Sequence, residues 1–331
     1  MRALNLVRTG AIDPANLALA DLPVPVPADD ELLLRIAACA VCRTDLQIVT
    51  GDLAPHRLPI VPGHQVVGRV EAMGARVTDW TVGERAAVGW LAEACGHCAM
   101  CLGGRENLCP DARFTGWDRD GGYAEWMTVK AGFALRLPAG SSDIDAAPLL
   151  CGGVIGYRAL RIANVLPGSR LGLYGFGASA LLAIQVARHW GCAVYVATRN
   201  SAEKERAGRM GAAWVGGYDD TPPVRLDAAI TFAPVGSVVV AALKSLERGA
   251  TVAINAIHLD RGPEFSYDLL WGERSRRSVA NYTRADAREF LALAAEIPIR
   301  TEPESYALVD GVEALRRLGA GMIGGAAVLS I

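Results

Sequence analysis

Four cysteines, Cys95, Cys98, Cys101 and Cys109, follow one another at spacings of three, three and eight residues in the stretch CGHCAMCLGGRENLC. Thiolates this close, in a polar loop whose glycines let the chain curl, match the tetrahedral four-sulfur shell of a structural zinc ion. His97 stands among them as a possible substitute ligand, but four thiols already fill the shell. Disulfides are the rival reading; they need an oxidising compartment and would close loops too short to add much stability. A shell with four protein ligands leaves no corner for substrate, so this metal would hold a loop in shape. Any chemistry must lie elsewhere.

A second set is dispersed: Cys42 in CAVCRTDLQ, His64 in PIVPGHQVVG and Cys151 in PLLCGGVIGYRAL. Taken singly, each reads as a small core side chain or a hydrogen-bonded structural imidazole. Taken together, two thiolates and one imidazole form the three-ligand set of a catalytic zinc, whose free fourth corner makes the ion a Lewis acid. Ligands of such sites commonly come from separate loops of one scaffold, so sequence distance is no obstacle. Cys39 could form a C-x-x-C redox pair with Cys42, but in the apolar run LLLRIAACAVC it reads better as a packed side chain. Cys192, just after HWG at an expected helix end, reads as packing too.

The stretch SRLGLYGFGASALLAIQVARHWG reads as a short strand, a glycine turn and a helix with apolar positions Leu181, Leu182, Ile184 and Val186. The pattern G-x-G-x-x-A is realised as Gly175, Phe176, Gly177, Ala178, Ser179 and Ala180. Two glycines let the backbone turn tightly and approach a pyrophosphate at the helix N-terminus, and the small Ala180 lets helix and strand pack closely. Alone the pattern is common; between a strand and a helix, with the strand AVYVATRN following, it marks a dinucleotide site. An NAD site places Asp or Glu at the end of that second strand to hold the ribose 2′-hydroxyl. Thr198, Arg199 and Asn200 stand there instead. A guanidinium at this point can fork onto a 2′-phosphate, which favours NADP(H) over NAD(H).

These sites need elements to hold them. At 331 residues the chain exceeds one comfortable hydrophobic core, and two domains are expected. Further strands are expected at LDAAITFAP and ATVAINAIHL with a helix over SVVVAALKSLERG between them, which continues the parallel winding of an α/β, doubly wound sheet. In DLPVPVPADDELLLRI the prolines forbid a helix and leave a loop leading into a strand, and GAAVLSI reads as a returning strand. The 33 basic side chains nearly balance 35 acidic ones, so no positive surplus is available for nucleic acid. No apolar stretch is long enough for a membrane span, and MRALNLVRTGAIDP lacks a secretory core, so a cytoplasmic location is expected. Eight cysteines in a reducing compartment argue for metal or catalysis.

The motifs CRTD at Cys42 to Asp45, PGHQVVG at Pro62 to Gly68, the four-cysteine lobe, LLCGGVIGYRAL and the glycine turn occur in that order. The chain thereby resembles, over essentially its whole length, a zinc-dependent alcohol dehydrogenase of the medium-chain dehydrogenase/reductase superfamily. The resemblance implies a GroES-like, β-rich catalytic domain over residues 1–152 and 286–331 and a Rossmann domain over 153–285, with the active site in the cleft. It implies two zinc ions per chain: a catalytic one on Cys42, His64 and Cys151, and a structural one on the lobe cysteines. It further implies that the Thr44 hydroxyl bonds the substrate oxygen and starts the proton's way out, that Arg43 touches the cofactor pyrophosphate, and that Asp45 orients the ligand imidazole. Trp90 and Trp117 resemble pocket positions whose bulk suits small or flat hydrophobic substrates. The implied reaction is reversible oxidation of an alcohol to an aldehyde or ketone, in a homodimer or homotetramer. Alternatives on the same scaffold are a zinc-free quinone or enoyl reductase and a non-catalytic, zinc-stabilised binding protein.

Two departures stand out. Gln65 replaces the Glu that many relatives carry beside the ligand histidine, and Gln47 replaces a relay histidine. Glutamine takes up no proton at neutral pH, so the proton leaves through water and a ribose hydroxyl, or through another group such as His56.

Overall fold

The computed structural model describes residues 1–256 and 259–331. The chain divides into two compact units: Met1–Cys151 with Thr283–Glu296 and Arg300–Ile331, and Gly152–Tyr282 with Ile297–Ile299.

The first unit is built on the eleven-residue strand Glu31–Val41, whose apolar run lies almost wholly in the core. One edge pairs antiparallel with Gln65–Met73. The other edge is shared: Trp126–Lys130 lies along Glu31 to Arg35, and the C-terminal strand Ala326–Ser330 lies along Ala38 to Val41. The sheet runs, in spatial order, Pro303–Ala307, Ala326–Ser330, Glu31–Val41, Gln65–Met73, Arg85–Val88 and Leu135–Arg136. The proline-rich stretch before Glu31 carries no helix and no strand after Asp21, as its missing N–H donors require. Directly after the long strand, Cys42 caps a short helix, Arg43–Thr50. The sheet thus delivers Cys42 at its end and His64 immediately before its second strand.

The second unit is a six-stranded, all-parallel sheet in the spatial order Trp214–Gly216, Ala193–Ala197, Arg170–Tyr174, Leu226–Thr231, Leu246–Ile254, Ser275–Ser278. Numbered by sequence this is 3-2-1-4-5-6, the doubly wound order of dinucleotide-binding sheets. Its central strands are apolar on both faces, with Leu171, Leu173, Val196, Ala229, Ile230 and Val252 at most 1% exposed, because helices cover both sides. Truncating one such residue, for instance Ile230→Ala, costs about 2–5 kcal/mol.

One expectation is corrected. The helix read over SVVVAALKSLERG spans only Gly236–Ser245, and Leu246–Ile254 is strand. Leu246 is fully buried and paired with Leu226, so sheet pairing overrides the helical preference of Leu, Glu and Arg. The run ATVAINAIHL is strand as far as Ile254, and its Ile257 and His258 lie outside the described residues.

Candidate active site

Cys42 sits at the N-cap of Arg43–Thr50, where its sulfur accepts the Thr44 N–H at 3.3 Å. Free N–H groups at a helix start favour a thiolate over a thiol. Asp45, fully buried, closes the cap by accepting the Cys42 N–H on Oδ2 at 2.9 Å. Its other oxygen, Oδ1, lies 2.9 Å from Nδ1 of His64. One carboxylate therefore fixes the backbone of one candidate ligand and the ring of another. His64 is 1% exposed and follows Gly63, whose φ of +96° suits glycine. A Cβ on Gly63 would stand 2.4 Å from the Tyr123 ring and 2.9 Å from the Cys39 sulfur, so the approach that places His64 requires glycine. Cys151 ends the 3-10 turn Ala147–Leu150.

These three side chains converge: the Cys42 and Cys151 sulfurs and a His64 nitrogen all lie within 4.8 Å of one another. Nε2 of His64 is 3.4 Å from the Cys42 sulfur. Tetrahedral zinc, with Zn–S of about 2.3 Å and Zn–N of about 2.0 Å, sets sulfur and nitrogen roughly 3.5 Å apart, so the residues fit that ion. The hydrogen bond with Cys151, followed by the His64 charge, draws the Cys42 thiol down to about 6 against the cost of burial. The same bond, then burial, pushes Cys151 well up. For His64 burial disfavours the charged ring, but Asp45 and Cys42 outweigh it and hold its pKa well above the usual range. Within the cluster the negative charge thus gathers on Cys42 and Asp45, on either side of the imidazole.

The lobe cysteines also meet. The sulfurs of Cys95, Cys98, Cys101 and Cys109 lie within 4.8 Å of one another, and Cys95 and Cys101 are 3.9 Å apart. Two thiolates on one tetrahedral zinc would be roughly 3.8 Å apart. Local backbone N–H groups serve these sulfurs, Cys98 to Cys95, Cys101 to Cys98 and Cys95 to Cys109, at 3.4–3.5 Å. His97 is exposed and its Nδ1 faces the Cys95 carbonyl at 2.9 Å, so it bonds backbone and stands outside the sulfur set. Cys39 and Cys192 are both buried, Cys39 in the sheet and Cys192 with its sulfur on the Leu166 carbonyl; each packs.

Beside His64 stands an aromatic wall. Trp90 meets the imidazole edge-on at 4.9 Å and stacks on Phe114 at 5.1 Å and Trp117 at 5.9 Å. Trp117 in turn packs on His56 at 4.0 Å, and His56 Nδ1 lies 2.5 Å from Asp118. Phe114 joins the wall because its strand pairs with Leu91, next to Trp90.

In the second unit, Gly175 ends the first strand with φ +92°, and a Cβ there would meet the Ala233 nitrogen at 3.1 Å. Gly177 precedes the helix Ala178–His189 with no side-chain cap bond, which leaves the first N–H groups available to an anion. Ala180 is fully buried, the small residue that packing of helix on strand needs. Thr198 is buried at the end of the second strand, while Arg199 and Asn200 are exposed.

Residues 28–139 match the alcohol dehydrogenase GroES-like domain. The whole chain is 48% identical to a probable alcohol dehydrogenase, AdhA, of Mycobacterium tuberculosis, of which it covers 97%. The chain belongs to the alcohol dehydrogenases of the medium-chain dehydrogenase/reductase superfamily. Among solved structures it is similar to a thermostable alcohol dehydrogenase from Pyrobaculum aerophilum with cobalt and zinc bound, at TM-score 0.89 and 25% identity, covering 100% of this chain and 99% of that one. It is also similar to the acetophenone reductase of Geotrichum candidum in complex with NAD, at TM-score 0.88 and 25% identity over 100% of this chain and 97% of that one.

Within this alcohol dehydrogenase the two departures are plainly placed. Gln65 is 3% exposed and opens the strand beside His64, and Gln47 lies half-buried on the capped helix. Sequence reasoning missed Phe114 and Glu203. Phe114 carries a faint signal, an aromatic three residues before Trp117. Glu203 lies on the first turn of Ser201–Arg209, and its Oε2 accepts from the Phe176 N–H at 3.3 Å and the Thr198 hydroxyl at 2.5 Å. Only the turn of the helix over the strand end brings it there.

Proposed function

We propose that this alcohol dehydrogenase is zinc-dependent and exchanges a hydride reversibly between an alcohol and a nicotinamide dinucleotide, interconverting alcohol and aldehyde or ketone. The observation that carries the reading is the convergence of Cys42, His64 and Cys151 within 4.8 Å, with the far nitrogen of His64 on the buried Asp45. When bound there, zinc supplies a Lewis acid that polarises the substrate oxygen and lowers the pKa of an alcohol. Asp45 accepts the Nδ1 proton of His64 and so keeps the Nε2 lone pair facing the thiols. Thr44, buried on the first turn beyond Cys42, offers its hydroxyl to the substrate oxygen and starts the proton outward. Gln47 cannot receive that proton. It leaves through water and a cofactor ribose hydroxyl, or through His56, whose ring Asp118 orients.

Trp90, Phe114 and Trp117 give the substrate a flat apolar wall, which suits small or planar hydrophobic alcohols. Gly175, Gly177 and Ala180 cradle the pyrophosphate. The cofactor is NAD(H) or NADP(H): Arg199 can pair with a 2′-phosphate, whereas Glu203 sets a carboxylate at the same strand end. A second zinc on the lobe cysteines holds that loop. The chain works as a homodimer or homotetramer in the cytoplasm; among the described residues no helix is long and apolar enough to cross a membrane. Elemental analysis with a panel of aldehydes and ketones tests the reading. Two zinc ions per chain and loss of turnover in Cys42→Ala are expected; equal rates in the parent and Cys42→Ala would overturn the metal mechanism.

A further inference from the structure

The second strand of a dinucleotide fold usually ends in the acid that accepts the ribose hydroxyls. Here that strand ends in Thr198, Arg199 and Asn200, and by sequence the acid is missing. In space it is present. Asn200 caps the helix Ser201–Arg209 by accepting the Glu203 N–H at 3.1 Å, which fixes the first turn directly over the strand end. From there the Glu203 carboxylate spans the two elements that a dinucleotide fold uses to hold adenosine ribose, namely the glycine turn, through the Phe176 N–H, and the second strand, through the Thr198 hydroxyl. Both bonds fall on Oε2, and among the described residues none falls on Oε1, which can accept from a ligand. Two donors on a half-buried side chain hold the charge in place. Tyr218 closes the same corner: burial pushes its phenol up, and the nearby Glu203 charge adds to the push.

We infer that Glu203 is the specificity-determining residue of the cofactor site and selects NAD(H). A ribose 2′-hydroxyl donates to its carboxylate, whereas a 2′-phosphate brings negative charge against it. Arg199, exposed at the strand end, offsets only part of that repulsion. This reverses the preference that the strand end alone suggests, because the helix, and not the strand, supplies the acid. The inference rests on the nicotinamide-dinucleotide reading above.

Calorimetric titration of the purified, zinc-loaded protein with NADH and NADPH tests it without turnover. The parent is expected to bind NADH about tenfold more tightly than NADPH, a difference of about 1.4 kcal/mol, and Glu203→Gln is expected to shrink that ratio by about tenfold. Thr198→Val removes the hydroxyl that holds the carboxylate and should shrink the ratio by a smaller factor, which keeps the inference testable if Glu203→Gln does not fold. Tighter binding of NADPH by the parent, or an unchanged ratio in folded Glu203→Gln, overturns it. Binding of neither dinucleotide overturns the cofactor reading and this inference with it.

Discussion

The two thiol clusters are made of similar groups and held by opposite means. In the lobe, four sulfurs come from fifteen consecutive residues and are served by N–H groups of the same loop. At the other cluster the candidate ligands span residues 42 to 151 and are held by a helix cap, a glycine that permits close approach and a carboxylate with both oxygens engaged. The lobe can be saturated from its own sequence, and saturation leaves it inert. Among the described residues the dispersed set offers three candidate ligands, drawn from three separate parts of the chain and supported by a helix cap, a glycine and a shared carboxylate. A scaffold that fixes three candidate ligands would leave the fourth corner of a bound zinc open to substrate.

The sharpest way to break this comparison is to remove one ligand from each cluster. Cys42→Ala or Cys151→Ala should lower kcat/KM by roughly a thousandfold or more, about 4 kcal/mol of lost transition-state stabilisation, with one zinc lost and the melting temperature little changed. Cys101→Ser should also lose one zinc but keep kcat/KM of the folded fraction within about threefold, and instead lose thermal stability. Exchanged phenotypes would show that the roles are assigned the wrong way round.

Asp45→Asn probes the scaffold itself. Breaking the carboxylate's hold on His64 should weaken metal retention and activity by about 10–100-fold, read by chelator competition followed by assay. Trp117→Ala should raise KM for flat aromatic substrates by about tenfold while changing KM for short aliphatic ones by less than about twofold, from the lost stacking area. A uniform effect on both would remove the wall from the substrate's path.

The smallest expected effect concerns how the lobe is anchored. Glu106, on the 3-10 turn between Cys101 and Cys109, accepts the N–H and Nε–H of Arg284 at 2.9 and 3.2 Å. Burial pushes its carboxyl up, but the Arg284 amide and guanidinium outweigh burial and hold it below the usual range. A depressed carboxyl stabilises the fold above its unfolded pKa of about 4.3, and that contribution disappears as pH falls through the lower folded value. Glu106→Gln should therefore cost about 1 kcal/mol at pH 7 and flatten the loss of stability below about pH 4, measured by denaturant melts across pH.

The sequence carried much of this because local order was enough. Cysteine spacing marks the lobe, and the strand, glycine turn and helix around Gly175 to Ala180 obey short-range rules of dihedral freedom and periodicity. Leu246 to Gly249 show where such rules stop: the residues favour helix, yet pairing with Leu226 makes Leu246 the start of a strand. Phe114 and Glu203 stayed hidden for a related reason. Nothing at their own positions names a partner; a strand pairing turns one to Trp90, and a helix turn carries the other back to Thr198.

What the chain determines by itself is the inventory: which side chains can ligate, where the glycine turn falls and which runs must be strand or helix, since these follow from residue chemistry and neighbours a few positions away. What only the tertiary structure decides is who meets whom, that is, His64 with Cys42 and Cys151, the Asp45 oxygens divided between two of them, and the Glu203 acid carried back by a helix turn to the end of the second strand. Such meetings depend on strand register and buried packing summed over the whole fold, which no short stretch of sequence contains.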